Sequence, residues 1–455
     1  MEMVLEFLRD VLSQPALLIG IMSCIGLIAL KRPFHKVMTG TLKPILGYLM
    51  LAAGAGVIVN NLDPLGKMIE HGFHITGVVP NNEAIVAVAQ KVLGVETMSI
   101  LVVGLLMNLC IARFTKFKYV FLTGHHSLFM ACLMSAVLGT AGLSGMELIL
   151  VGGFLMGAWS AISPAIGQSY TSKVTDGDEI AIGHFGSLGY YLSAWVAKYV
   201  GKADDSTEDI EIPEKWGFLR DSTLSTALTM IVFYLIAAFA AGSEFVATLS
   251  GEMSPYLYAV MSAMNFAVGV TIVYSGVRMI LGDLIPAFQG IATKIIPNAI
   301  PAVDCAVFFT YAPTAVVLGF ISSFIGGIIG MLILGAVGGV LIIPGLVPHF
   351  FCGATAGIYG NATGGRRGAA VGAFLNGLAI TFLPAMALPV LGQLGFQNTT
   401  FGDADFAVMG LVLGNAYEWV GMAGIYGIVA IAALVLIIPN FIKTKGKVIN
   451  YVEED

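Results

Sequence analysis

Residues 300–320 read IPAVDCAVFFTYAPTAVVLGF, an apolar run that holds one acid, Asp304, between Pro301 and Pro313. Each proline lacks an N–H and disfavours a helical residue ahead of it, so the stretch predicts a broken helix rather than a continuous one. In hydrocarbon, interrupted backbone survives only where it is buried in protein or lines a cavity, and a carboxylate at that depth marks a functional site. Asp304 is therefore the first candidate residue, and the fold expected around it is that of a membrane carrier.

The rest of the chain fits that expectation. Of its 455 residues 57% are hydrophobic and 11% charged, with a mean hydropathy of +0.88. Soluble domains average about 25% charged residues, so an ordinary soluble enzyme is excluded and an all-α polytopic membrane protein is expected. The net charge of −6 identifies no partner. Lys and Arg sit in short loops and form no basic face, so nucleic-acid binding is not expected. Cys24, Cys110, Cys132, Cys305 and Cys352 all lie in apolar runs without CxxC spacing; neither a disulfide framework nor a zinc site follows from them. The opening MEMVLEFLRDVLSQ is acidic and lacks the basic start of a cleaved signal, so the first apolar segment is expected to stay as a span.

Runs long enough to cross about 30 Å of hydrocarbon occur near 15–30, 40–60, 96–112, 119–141 and 146–166, then near 223–246, 255–278, 307–330, 332–357, 368–391 and 411–440, about eleven in all. Between the two groups lies a polar insert, 168–222, with an amphipathic piece near 187–200 and the acidic linker KADDSTEDIEIPEK. The halves 1–222 and 223–455 repeat one another. Val79-Pro80-Asn81-Asn82-Glu83 echoes Ile300-Pro301-Ala302-Val303-Asp304, and Gly124 and Phe129 match Gly345 and Phe350 at the same offset. Gly54 and Pro64 match Gly276 and Pro286, and Gly177-Asp178 matches Gly402-Asp403, in nearly that register.

An odd number of spans separates equivalent points, so the copies should face opposite ways. Charge placement agrees. Lys31, Arg32, Lys36 and Lys43 follow the first span and Arg113, Lys116 and Lys118 the third, whereas the corresponding loops of the second copy, 247–256 and 331–340, hold no Lys or Arg. Arg366 and Arg367 answer a turn at 140–146 that has none. By the positive-inside rule the basic loops are cytoplasmic; the N-terminus is then outside, and the insert and the tail with Lys443, Lys445 and Lys447 are inside. Inverted repeats with interrupted helices are the architecture of transporters with sites near the midplane. The interrupted segments 71–88 and 294–309 read as re-entrant hairpins with Glu83 and Asp304 near their tips.

Each candidate residue has a plainer role beside the functional one. Glu83 and Asp304 could both cap half-helices, a use compatible with accepting hydrogen bonds from substrate hydroxyls. Adjacent His125 and His126 point about 100° apart on a helix and make a poor chelating pair, so no metal site is expected. His184, in IGHFG, sits where glycines allow backbone to approach a ligand. Phe129 and Phe185 either stack on a ring or fill core. The run SKVTDGDE lacks P-loop or EF-hand spacing, and no GxSxG elbow supports a hydrolase.

The segments LTGHHSLF, VTDGDEIAIGHFGS, AVDCAVFFTYAPTAVVLGF, LIIPGLVPHFF and TGTLKPILGYLMLAAGAGVI resemble the ascorbate-type membrane component, enzyme IIC, of the bacterial phosphoenolpyruvate-dependent phosphotransferase system. That resemblance runs over nearly the whole chain. It implies an eleven-span homodimer in the bacterial cytoplasmic membrane, with core and scaffold domains each drawn from both repeats and an elevator-like movement of the core. It implies delivery of a small hydroxylated substrate to a phosphocysteine-bearing IIB partner that IIA recharges, with no cofactor. Substrate contacts implied are His125, His184 and Asp304. The chain departs from the family pattern where Phe129 and Phe185 replace glutamines and where Asn82 and Glu83 replace a Thr-Tyr pair, so the substrate is expected to be ascorbate or a related sugar or polyol. The chain offers no evident phosphoryl acceptor. The competing class is an ion-coupled carrier using Glu83 or Asp304 as a proton site; an intramembrane enzyme would need a nucleophile and base that these residues do not assemble.

Overall fold

Where lipid offers no hydrogen bonds, a chain satisfies its own backbone, and long apolar runs accordingly form long helices. The computed structural model describes residues 11, 14–74, 77–80, 82–177, 179–210, 222–392 and 399–441. Helices α1 (Pro15–Ala29) and α2 (Phe34–Phe73) are followed by strand β1 (Val79–Pro80), α3 (Asn82–Phe114), β2 (Tyr119–Phe121), α4 (Gly124–Thr140) and α5 (Gly145–Thr175). Next come β3 (Ala181–Ile182), α6 (Ser187–Val200), α7 (Ser222–Ala241), α8 (Ser243–Ser250) and α9 (Pro255–Lys294). The last part holds β4 (Ile300–Val303), a 3₁₀ turn (Cys305–Thr310), α10 (Pro313–Ala336), α11 (Leu346–Gly392), β5 (Thr399–Thr400), α12 (Ala404–Val420) and α13 (Met422–Phe441). Among the described residues six helices are long and apolar enough to cross a membrane, or seven if the bent pair Met230–Ala241 and Ser243–Ser250 is one span. The protein is an all-α multi-pass membrane protein.

The helices pack as two groups. In the first, α2 lies against α9 and both meet α1 and α7; in the second, α3 packs on α4 and α5, and α11 on α6, α10 and α12. Both groups draw on both halves of the chain. The α2–α9 crossing is close because glycines face each other: a Cβ on Gly54 would stand 2.7 Å from the Gly269 carbonyl, and one on Gly269 2.9 Å from the Gly54 carbonyl. Small residues at such a crossing let two backbones touch, and packing rather than water drives the association.

Several expected spans have different limits. Residues 332–357 are not one helix: α10 ends at Ala336 and α11 begins at Leu346. Between them Gly338 takes φ +72°, and the backbone pairs with residue 78 instead, Val78 N–H to Leu341 O at 2.9 Å and Ile343 N–H to Val78 O at 2.9 Å. The expected 411–440 span divides at Gly421, whose φ of +64° ends α12. The expected 119–141 span opens as a strand, and α11 bends at Gly364 and Gly365. The insert is not wholly peripheral either. Its α6 buries Tyr190, Tyr191, Ser193, Ala194 and Ala197, with the small residues against the glycines of α11.

A strap from the insert crosses that bend. Asp205 receives the Arg366 N–H at its carbonyl and the Arg366 guanidinium at its carboxylate, both at 2.7 Å. Thr207 N–H reaches Asn361 Oδ1 at 2.8 Å. The Glu208 carboxylate accepts the Thr314 and Ala315 N–H groups at 3.1 Å, so a residue from another segment caps α10, whose first N–H groups have no partner within the helix.

The feature that positions the site is a three-stranded parallel sheet in the order β2-β4-β3. Tyr119 pairs with Ile300 and Phe121 with Ala302; on the other side Ala181 pairs with Ala302 and Ile182 with Val303. The outer edges of so small a sheet would leave backbone groups unpaired. Side-chain amides close both: Asn108 donates to Tyr119 O at 3.1 Å and accepts Phe121 N–H at 3.0 Å, and Gln168 donates to Ile180 O at 3.1 Å. A second parallel pair joins β1 to β5.

Candidate functional site

All three strands of the sheet run the same way, so whatever follows each one arrives at the same end. After β2 come Leu122, Thr123, Gly124 and His125; after β3 come Gly183, His184 and Phe185; after β4 comes Asp304. Three short apolar strands thus gather three polar side chains from distant parts of the sequence. Gly183 is required there, because a Cβ would collide with the Ala302 carbonyl of β4.

Asp304 is N-cap of the 3₁₀ turn, accepting Ala306 N–H at 3.3 Å through Oδ1. Its Oδ2 lies 3.4 Å from His125 Nε2. The capping use and the outward-facing use therefore coexist on one carboxylate. Its side chain is 9% exposed against 37% for His125, which places the carboxylate behind the imidazole at the rim. The Tyr48 hydroxyl, from α2 in the other helix group, meets His125 Nδ1 at 3.2 Å. His184 closes the set: its ring nitrogen, the Asp304 carboxylate and Cys305 Sγ lie within 4.8 Å of one another.

His126, the neighbour of His125 on α4, is buried behind His184 with ring centroids 3.8 Å apart. It accepts Phe185 N–H at Nδ1, 3.3 Å, while His184 accepts Gly186 N–H at Nδ1, 3.1 Å, and the Tyr190 hydroxyl donates to the same atom at 2.8 Å. Each neutral ring therefore carries its proton on Nε2, the tautomer set by the bond at the other nitrogen. His126, His184 and Asp403 have donor atoms close enough together for a metal ion. A metal on Nε2 would drive that proton to Nδ1, into a backbone N–H, so the donor set suits hydrogen bonds to substrate oxygens and not metal ligation.

Asp403 was not anticipated as part of the site. It begins α12 without capping it. Its carboxylate instead accepts Asn82 Nδ2 at 2.5 Å and the Cys352 thiol at 2.8 Å, and stands 4.0 Å from His184 Nδ1. That last contact joins two acceptors and is no ion pair while the ring is neutral. Asn82 Oδ1 also takes Gly402 N–H at 2.9 Å, so Asn82 ties the start of α3 to the start of α12. Asp405, fully buried, holds the start of α6 through Ser187 Oγ at 2.8 Å and Leu188 N–H at 2.9 Å. The repeat of Gly-Asp at 177–178 and 402–403 was the one sequence signal for Asp403; Asp178 lies outside the described residues.

The two phenylalanines take the plainer role. Phe185 is fully buried, stacked on Phe121 at 4.6 Å and edge-on to Phe406 at 5.7 Å. Phe129 is buried with its edge toward His125 at 5.8 Å and its face tilted to His126 at 5.6 Å. Together they form an aromatic wall that fixes the imidazoles. Glu83 lies on α3, and its side chain is outside the described residues.

Residues 10–405 match the model of the family described as EIIC-GAT, the PTS system sugar-specific permease component. The chain is also similar to the "Ascorbate-specific PTS system EIIC component" of Mycoplasma pneumoniae, 27% identical over 474 aligned positions that cover 90% of this chain and 70% of that protein. With a multi-pass helical fold and polar residues gathered inside it, the chain belongs to the sugar-specific permease components of the phosphotransferase system, EIIC-GAT.

Proposed function

We propose that this permease binds L-ascorbate or a related sugar or polyol and carries it to a cytoplasmic IIB subunit, which phosphorylates it and is recharged by IIA. One observation carries the reading: His125, His184 and Asp304 converge at the ends of three parallel strands. An Nε2–H donor on His184 beside the Asp304 carboxylate acceptor matches the donor-and-acceptor character of a hydroxyl. The ascorbate-specific name of the Mycoplasma relative supports the substrate class. Phe129, Phe185, Asn82 and Glu83, where the family pattern has other residues, are proposed to tune which sugar is taken, the first three by setting the posture of the histidines.

About eleven crossings in two inverted repeats, each with a re-entrant hairpin, are proposed as the architecture. Equal lengths of 40 residues for α2 and α9, each followed by a short strand containing a proline, support the repeat. The bend that divides α11, 47 residues long, supports two crossings there, since about 70 Å of helix exceeds twice the hydrocarbon thickness. Lys116 N–H meets Asn440 Oδ1 at 2.9 Å, so the basic loop after α3 and the approach to the basic tail share one end, in keeping with a cytoplasmic C-terminus and an external N-terminus. A homodimer with an elevator-like movement of the second helix group against the first follows from the family resemblance.

Uptake by inverted or right-side-out vesicles tests the proposal. Accumulation of ascorbate as a phosphate ester, dependent on IIB and phosphoenolpyruvate, is the expected result. Uptake of unmodified ascorbate driven by a proton gradient alone would establish an ion-coupled carrier instead.

A further inference from the structure

Beside the strand ends the two helix groups meet across a narrow crevice, too tight in this conformation to admit a water, lined by Ile19 and Tyr48 from the first and by Leu122, Thr123, Asp304 and Val307 from the second. Its polar lining is unusual in one respect: its hydrogen bonds are long or missing. Thr123 occupies the N-cap of α4, a position where a threonine ordinarily accepts a backbone N–H, yet its side chain makes no cap bond. The residue is 1% exposed and Oγ1 has no partner among the described residues. Tyr48 reaches His125 at 3.2 Å, and His125 reaches the Asp304 carboxylate at 3.4 Å, the latter beyond the usual 2.7–2.9 Å of a charge-assisted bond. Buried polar groups are otherwise satisfied in native proteins, and each exception calls for a reason.

We infer that Tyr48 and Thr123 are substrate-contacting residues, the Thr123 hydroxyl and the Asp304 carboxylate receiving hydroxyl groups of the substrate while the Tyr48 hydroxyl closes over them from the opposing helix group. The inference rests on the proposed function and adds to it the identity of two contacts and the chemistry of what they hold. Among the described residues the crevice lining holds no Lys or Arg, and Ile19, Leu122 and Val307 give it an apolar wall. The part of the substrate held there is accordingly an uncharged, hydroxyl-bearing end with a carbon face.

Calorimetric titration of the full-length protein in lipid nanodiscs with L-ascorbate, xylitol and D-mannitol tests this. Thr123→Val removes the hydroxyl at constant shape and is expected to weaken binding about tenfold without lowering the unfolding midpoint of the ligand-free protein, because an unpaired buried hydroxyl is lost. Thr123→Ser should restore most of the affinity, and Tyr48→Phe should weaken binding severalfold. If both hydroxyl-deleted variants bind like the unaltered protein while His125→Ala does not, the inference fails and the proposed function stands. If Thr123→Val loses midpoint and affinity together and Thr123→Ser restores neither, the hydroxyl is structural and the inference fails. If the unaltered protein binds none of the three compounds, the substrate class itself is wrong, and the inference falls with it.

Discussion

His125 and Asp304 share a property that the sequence displays openly: each is polar within an apolar run, where only a partner or a ligand justifies its cost, whereas His184 lies in the polar insert and was indicated by the family resemblance. That is why all three were legible. Asp403 was less so, because an acid at the start of a helix reads as an ordinary cap; only the structure shows its carboxylate turned to Asn82 and Cys352. Phe185 carried the opposite ambiguity, and it is buried with its ring stacked on Phe121. At this scale His125→Ala, His184→Ala and Asp304→Asn are each expected to weaken ascorbate binding about tenfold or more, each removing a bond that involves a charge or a buried donor. Titration beside thermal unfolding checks this, and loss of folding in all three would reduce them to structural residues.

Short strands are the part of the fold that the sequence concealed. β2, β3 and β4 are two to four residues long and lie in apolar surroundings on both faces, so they show no alternation to set them apart from helix. The proline at 301 signalled a break there but not what replaced the helix. What sustains the sheet is equally local: the Asn108 amide supplies two bonds to β2. Asn108→Leu would leave a backbone carbonyl and an N–H unpaired in a dry setting, at about 1–3 kcal/mol each. Its unfolding midpoint in detergent is expected to fall well below that of the unaltered chain, and ascorbate affinity with it, since β2 positions His125. An unchanged midpoint would mean that the strand edge finds other partners.

For the molecule as a whole, hydropathy gave the class and many of the helices, while the ends of spans shifted wherever glycine or backbone pairing intervened, as at Gly338 and Gly421. Orientation belongs to this scale. With Cys24 and Cys110 replaced, Lys116→Cys is expected to react with a membrane-impermeant thiol reagent only from the cytoplasmic side, and Glu252→Cys only from outside. Both positions are exposed, so labelling of the two from one face would overturn the inverted arrangement.

The order of the small sheet has one more consequence, which concerns the protein's birth rather than its work. Its middle strand is the last of the three to leave the ribosome, and it must slide between two neighbours already embedded in the bilayer. Until residues 300–303 arrive, β2 and β3 have no common partner and the amides of Asn108 and Gln168 guard edges that face nothing. The sheet therefore cannot be completed by a half-made chain; it closes in one late step, when the second half threads itself into the first.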